Sequence, residues 1–184
     1  MTTDQLTREA RFVEAMLTGG RDVPGVRAAL RRSLAMPPGA DARVHPIVYP
    51  WISGVPEPDE WRWFLVAGLM GLLPGEWRPP LQPVGFGVSA RELKQKRDPK
   101  PAEGDRTGPT ERRFVALLDA DQDELPHHMR HILRLMIGAE VRIDFIRLLG
   151  DLRWWSHPER RVQRRWARDF WAGTAEDQQK GDEE

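Results

Sequence analysis

The densest chemistry in the chain lies between Arg160 and Trp171, RRVQRRWARDFW, where five arginines and two tryptophans share one short segment. Wound at about 100° per residue, this segment sets Arg161, Arg164, Arg165 and Arg168 on one face, at i, i+3, i+4 and i+7. Val162, Trp166 and Phe170 fall opposite, so one side can enter a core while four guanidiniums face outward. Guanidiniums so close repel by roughly a few tenths of a kcal/mol per pair in an isolated helix, and a polyanion would neutralise them. A plainly solvated helix face fits the same pattern.

Other candidate chemistry is weaker. Asp119, Asp121 and Asp123 imitate the opening of an EF-hand loop, but the sixth and twelfth positions hold Glu124 and Arg130 where glycine and glutamate are needed. An acidic helix end is the better reading. His127 and His131, at i, i+4, could chelate a metal from one helix face. A zinc protease would place glutamate directly after the first histidine, where His128 stands, and with no cysteine and no third ligand nearby no metal is expected. No phosphate-binding glycine loop, nucleophile elbow or dinucleotide fingerprint occurs, and no paired base and orienter can be assembled, so no catalytic residue and no cofactor is expected. The eight tryptophans, with Trp154-Trp155 and Trp166 near the last helices, could stack bases, but tryptophan on an apolar face usually belongs to a core, which is the expectation for all three.

The 184 residues carry 28 basic and 28 acidic side chains, and a net charge of zero argues against a histone-like duplex binder. The distribution is uneven. Five acids and one lysine fall between Glu176 and Glu184, leaving the preceding body net positive by four. Only Lys94, Lys96, Lys100 and Lys180 are lysines; the other 24 cations are arginines, whose planar forks suit phosphate. Absence of cysteine fits a reducing compartment. The first residues lack the basic head and apolar core of a signal peptide, and no apolar run approaches the roughly 20 residues that span a bilayer. A cytoplasmic protein with no membrane contact is the expectation.

The elements that must position the arginines are helical throughout. Leu6, Ala10, Val13 and Leu17 make one stripe ending at Gly19-Gly20, and Val26, Leu30 and Leu34 a second ending at Pro37, with Arg27 and Arg31 pointing away from it. Prolines 46, 50 and 56 predict only short helical turns over 41–56. A long, nearly all-apolar helix runs from about Pro58 to Leu73. From 76 to 109 the composition reads as a connector with one short helix, capped by a Ser89/Glu92 box. Helices then follow from Thr110, from Pro126 to Gly138, from an Asp144 cap, and after a Ser156/Glu159 box. Short loops between them favour an antiparallel bundle. The expected fold class is all-α, with helical subdomains at 1–75 and 110–172 and an acidic flexible tail at 173–184.

The order of these landmarks resembles the CasB family, the small subunit of the type I-E CRISPR surveillance complex Cascade. The resemblance rests on WFLVAGLMGLLPG, GFGVSARELKQKR, ERRFVALLDADQDELPHHMRHILRLM, IDFIRLLGDLRWW and HPERRVQRRWARDFW, in that order. These segments span most of residues 5–172; the stretch 98–108 and the tail are the least similar. The resemblance implies a non-catalytic two-subdomain helical protein. Its implied partners are the backbone and large subunits of Cascade, a second copy of itself, the guide RNA and the target DNA. Its basic surface would steady the target strand and the displaced strand without sequence choice, since guide pairing supplies specificity.

Basic positions within the shared segments give the candidate nucleic-acid contacts. They are Arg31 and Arg32 in the first half, Arg91 and Lys94 near the connector, and Arg112, Arg113, Arg130, Arg134, Arg161, Arg164, Arg165 and Arg168 in the second. Some should instead pair with Asp119, Asp123, Asp151 or Asp169. An adaptor whose arginine face binds acidic protein surfaces is the alternative, and a metal hydrolase using the histidines a third.

Overall fold

The computed structural model describes residues 7–20, 23, 25–98 and 107–172. Its described residues form helices α1 (Arg8–Ala15), α2 (Val26–Ser33), α3 (His45–Ile52), α4 (Glu57–Met70), α5 (Phe86–Arg97), α6 (Pro109–Asp119), α7 (Leu125–Gly138), α8 (Phe145–Leu152) and α9 (Arg161–Trp171). A π-helical turn, Met16–Gly20, extends α1, and a 3-10 turn, Ala42–Val44, precedes α3. No strand occurs among the described residues, so the chain is all-α. The expected acidic tail at 173–184, most of the stretch 98–108, and Leu6 lie outside them.

α4 is the centre. Every residue from Arg62 to Met70 is buried, and the helix touches α2, α3, α7 and α8. Gly68 and Gly71 let α2 come close: a methyl group on Gly68 would meet Leu34 Cδ2 at 2.7 Å, and one on Gly71 would meet Leu30 Cβ at 2.8 Å. The apolar contacts continue without a break through Met129, Ile132, Leu148, Trp166 and Phe170 of the later helices.

Four local expectations fail for identifiable reasons. Residues 45–52 form a helix despite two prolines, because Pro46 sits in its first turn and the donor missing at Pro50 falls near its end. Val48 and Ile52 are buried and hold it in place. Arg27 turns inward rather than away, its Nη2 donating to the carbonyl of Leu73 at the end of α4. Ser89 caps nothing: the N-cap of α5 is Gly85, and the Ser89 hydroxyl donates to the carbonyl of Arg142 at 2.9 Å. Ser156 donates to Gln122 Oε1 at 3.0 Å, while the N-cap of α9 is Arg160, in the left-handed region at φ 48°. In neither box does the serine stand at the N-cap position, and each hydroxyl donates to a tertiary acceptor. Asp144 does cap α8, accepting from the Arg147 amide at 2.9 Å.

The helix expected as a minor part of a connector is twelve residues long and packed. Phe86, Gly87, Ser89, Ala90 and Leu93 are buried, and α5 makes its most extensive contact with α9. Gly87 is the reason they approach so closely. A methyl group there would lie 2.3 Å from the carbonyl oxygen of Trp166 and 2.8 Å from its Cα.

Candidate nucleic-acid interface

α9 presents the arginine stripe as its spacing predicts. Val162, Gln163, Trp166 and Phe170 are buried, and Arg161, Arg164, Arg165 and Arg168 are exposed. The inner face is anchored by aromatic contacts: Trp166 stacks on Phe86 of α5 with centroids 4.5 Å apart, and Phe170 on Phe114 of α6 at 4.3 Å. Gln163 Nε2 donates to the Trp155 carbonyl at 2.7 Å, fixing the rotation of the helix about its axis. The four arginines are therefore held outward by packing beneath them.

They differ in what they touch. Arg165 Nη2 lies 2.5 Å from Asp151 Oδ1, and the other oxygen of Asp151 accepts from Trp166 Nε1 at 2.7 Å. Arg161 Nε lies 2.5 Å from Glu159 Oε2. Arg164 and Arg168 have no carboxylate within ion-pair distance among the described residues. Asp169 is nearest Arg168 in sequence, but its carboxylate turns toward the start of α5. A methyl group on Gly85, the α5 N-cap, would lie 3.0 Å from Asp169 Oδ2. There the partial positive charge of the helix N-terminus favours an anion, and Arg168 is left without a carboxylate within ion-pair distance among the described residues.

The other candidates are distributed over the surface. Lys94 is engaged: Nζ is 2.6 Å from Glu111 Oε2 and 5.5 Å from the Phe170 ring centroid, while Trp171 Nε1 donates to Glu111 Oε1 at 3.1 Å. These contacts tie α5, α6 and α9 together. Arg91 is half-buried on α5. Arg112 and Arg113 are exposed on α6, donating to the carbonyls of Thr107 and Pro109 at 2.5 Å and 3.0 Å. Arg134 is exposed and Arg130 half-buried on α7, with no ion pair among the described residues. Since α7 and α9 both pack on α5, the two arginine groups belong to neighbouring parts of one helical cluster. Arg31 and Arg32 are exposed in the last turn of α2. Arg32 also acts at longer range on Asp41, whose carboxyl is held below the usual range chiefly by its hydrogen bond to Arg43.

The acidic and histidine clusters have local roles. Asp121 Oδ1 accepts from the amides of Asp123 and Glu124, both at 2.9 Å, at the entry to α7. His127 and His131 rings lie edge to face at 4.3 Å, and His131 Nδ1 is 3.1 Å from the His127 carbonyl. Burial, followed by the charge of His127, lowers the His128 pKa from the ordinary imidazole value. Among the described residues no group of three or more histidines and carboxylates could hold a metal ion. No helix there is long and apolar enough to cross a membrane. Sequence reasoning missed two exposed side chains of α8 and the turn after it, Arg147 and Trp154. Trp154 lies beyond the end of α8, in a turn where helical spacing no longer decides which side chain meets the core, and of the Trp154-Trp155 pair only Trp155 is buried.

The comparisons with known proteins agree with one another. The family model for CRISPR-associated protein Cse2 matches residues 26–171. A CRISPR-associated protein Cse2 from Thermus thermophilus is 39% identical over 179 residues, covering 92% of this chain and 94% of its own. The crystal structure of M. ruber CasB superposes with TM-score 0.75 at 28% identity, over 95% of this chain and 98% of that one. A chain of a CRISPR RNA-guided surveillance complex does so with TM-score 0.74 at 25% identity, over 95% and 97%.

Proposed function

Because the chain belongs to the CRISPR-associated Cse2 family, we propose that it is a non-catalytic subunit of a CRISPR RNA-guided surveillance complex whose basic surface holds nucleic acid strands by their phosphates. The partners in this reading are the other subunits of the complex, its guide RNA, the target DNA and a second copy of the chain. The similarity to a chain of an RNA-guided surveillance complex supports the assembly. The observation that carries the nucleic-acid part is the outward stripe of α9, in which Arg164 and Arg168 lack a carboxylate partner among the described residues while the nearby acids are turned to other work.

Contacts of this kind give affinity without sequence choice, because a guanidinium fork reads phosphate and not base identity. That suits a subunit that must accept whatever target the guide RNA pairs with. Holding the unwound strands would slow their reannealing and lengthen the life of the R-loop. The test is the R-loop lifetime of complex reconstituted with the parent or with Arg164→Glu/Arg168→Glu, at two salt concentrations, once incorporation of the variant is verified. The lifetime should fall at low salt, with the defect shrinking at high salt, and target discrimination should remain that of the parent. Equal lifetimes at low salt would contradict the proposal.

A further inference from the structure

The turn between α8 and α9 adds an uncharged contact beside the arginines. Trp155 points inward, 2% exposed, with Nε1 donating to the Ala120 carbonyl at 3.1 Å, whereas Trp154 is 54% exposed. All eight tryptophans are among the described residues, and Trp154 alone is in the exposed class. Its place is fixed by its surroundings. The Trp154 amide donates to the Asp151 carbonyl at 3.0 Å, and its own carbonyl accepts from the His157 amide at 3.2 Å. The Arg153 guanidinium lies 5.6 Å from the ring centroid, and the His157 ring meets it edge-on at 6.1 Å. Asp151 is also the residue that Arg165 and Trp166 hold, so the ring is tied to the base of the α9 stripe.

We infer that Trp154 is a stacking platform for an unpaired nucleobase of the strand whose phosphates the α9 arginines contact. Six arginines fall from Arg153 to Arg168; Arg153, Arg160, Arg161 and Arg165 lie within ion-pair distance of Asp59, Asp119, Glu159 and Asp151, while Arg164 and Arg168 have no carboxylate that close among the described residues. A flat aromatic face set among cations matches a nucleotide, which offers a π surface and a negative phosphate together. An apolar protein partner would need a contiguous hydrophobic patch. The exposed Leu81 and Ile146 line a different groove, between α1, residues 75–83 and the start of α8, and Trp154 is not part of it. Stacking is indifferent to base identity, so the platform adds affinity without adding sequence preference.

This inference rests on the phosphate-binding reading of α9, and two oligonucleotides separate them: an all-thymidine single strand and an all-abasic strand with the same phosphates. The full-length parent should bind the thymidine strand at least about fivefold more tightly than the abasic one. Trp154→Ala should abolish that preference with an unchanged dependence on salt, and Trp154→Phe should keep most of it. Arg164→Glu/Arg168→Glu should do the opposite, weakening both strands and flattening the salt dependence. Equal binding of the two strands by the parent, or a parent-like preference in Trp154→Ala, would overturn the stacking role while leaving the phosphate contacts standing. Absence of salt-dependent binding to either strand would overturn both. Unaltered affinities in Trp154→Ala, combined with loss of copurification with other subunits, would assign the ring to a protein contact instead.

Discussion

Helices α4 and α9 each contain arginine followed by tryptophan, Arg62-Trp63 and Arg165-Trp166, and the two arginines have opposite fates. In α4 the residues around the pair are apolar on nearly all sides, so both members are buried. Arg62 Nη1 donates to the Leu149 carbonyl at 2.7 Å, its Nη2 is 3.6 Å from Glu9 Oε1, and its guanidinium lies 5.0 Å from the Trp63 ring centroid. Burial pulls its pKa below the ordinary arginine value, with Glu9 opposing. In α9 polar residues recur with helical period, so Trp166 is buried while Arg165 stays at the surface. The same dipeptide becomes an internal clasp or part of an exposed arginine face according to what lies three and four residues away. An arginine count therefore says little about binding until the periodicity around each arginine is read.

The widest separation between the two settings should come from removing the tryptophan beneath the stripe. Trp166→Ala leaves a cavity against Phe86 and Trp155 and strips Asp151 of a donor, and should cost about 3–5 kcal/mol in chemical denaturation. Unaltered stability with lost binding would mean that Trp166 is a ligand platform. Next in size is Arg62→Ala, expected to cost about 2–3 kcal/mol by leaving the Leu149 carbonyl unpaired and a space beside Trp63. Arg62→Met also leaves the Leu149 carbonyl unpaired but keeps the packing of the stem without the desolvated charge, and its stability should fall between those of Arg62→Ala and the parent. If the two variants unfold alike, the clasp acts through its charge and not its packing. Gly87→Ala should cost about 1–2 kcal/mol, because backbone of α9 occupies the space of the new methyl group.

The smallest effect is a pH dependence. A depressed His128 pKa means that the unfolded chain binds this proton more readily than the folded one. Stability should therefore fall as pH drops below the ordinary imidazole pKa, and the dependence should flatten in His128→Gln. A melting temperature that rises on acidification over that range would reverse the assignment.

Much of this architecture was legible in the sequence, since the apolar periods of α1, α2 and α6 to α9 each mark a buried face and the nearly all-apolar run of α4 marks the centre. What eluded the sequence was tertiary packing. The local spacing of Ser89 and Glu92 could not reveal that α5 starts after Gly85, which leaves Ser89 inside the helix with its hydroxyl on the Arg142 carbonyl. Composition showed a helix within the connector but hid its packing, because the buried face of α5 includes Gly87, Ser89 and Ala90, small residues that permit the close approach of α9. The site was legible as a stripe but not as individual roles. Glu159 and Asp151 engage Arg161 and Arg165, whereas the Asp169 carboxylate faces α5, and no spacing rule separates the acids that neutralise from those that do not.

Contact between phosphate and Arg164 and Arg168 of α9 should be visible in the slope of log affinity against log salt for a short single strand, measured for the parent and for Arg164→Glu/Arg168→Glu. Each phosphate contact contributes about 0.7 to that slope, so loss of two should flatten it by about 1.4, with thermal stability retained. A variant whose slope and affinity equal the parent's would show that this face meets only solvent.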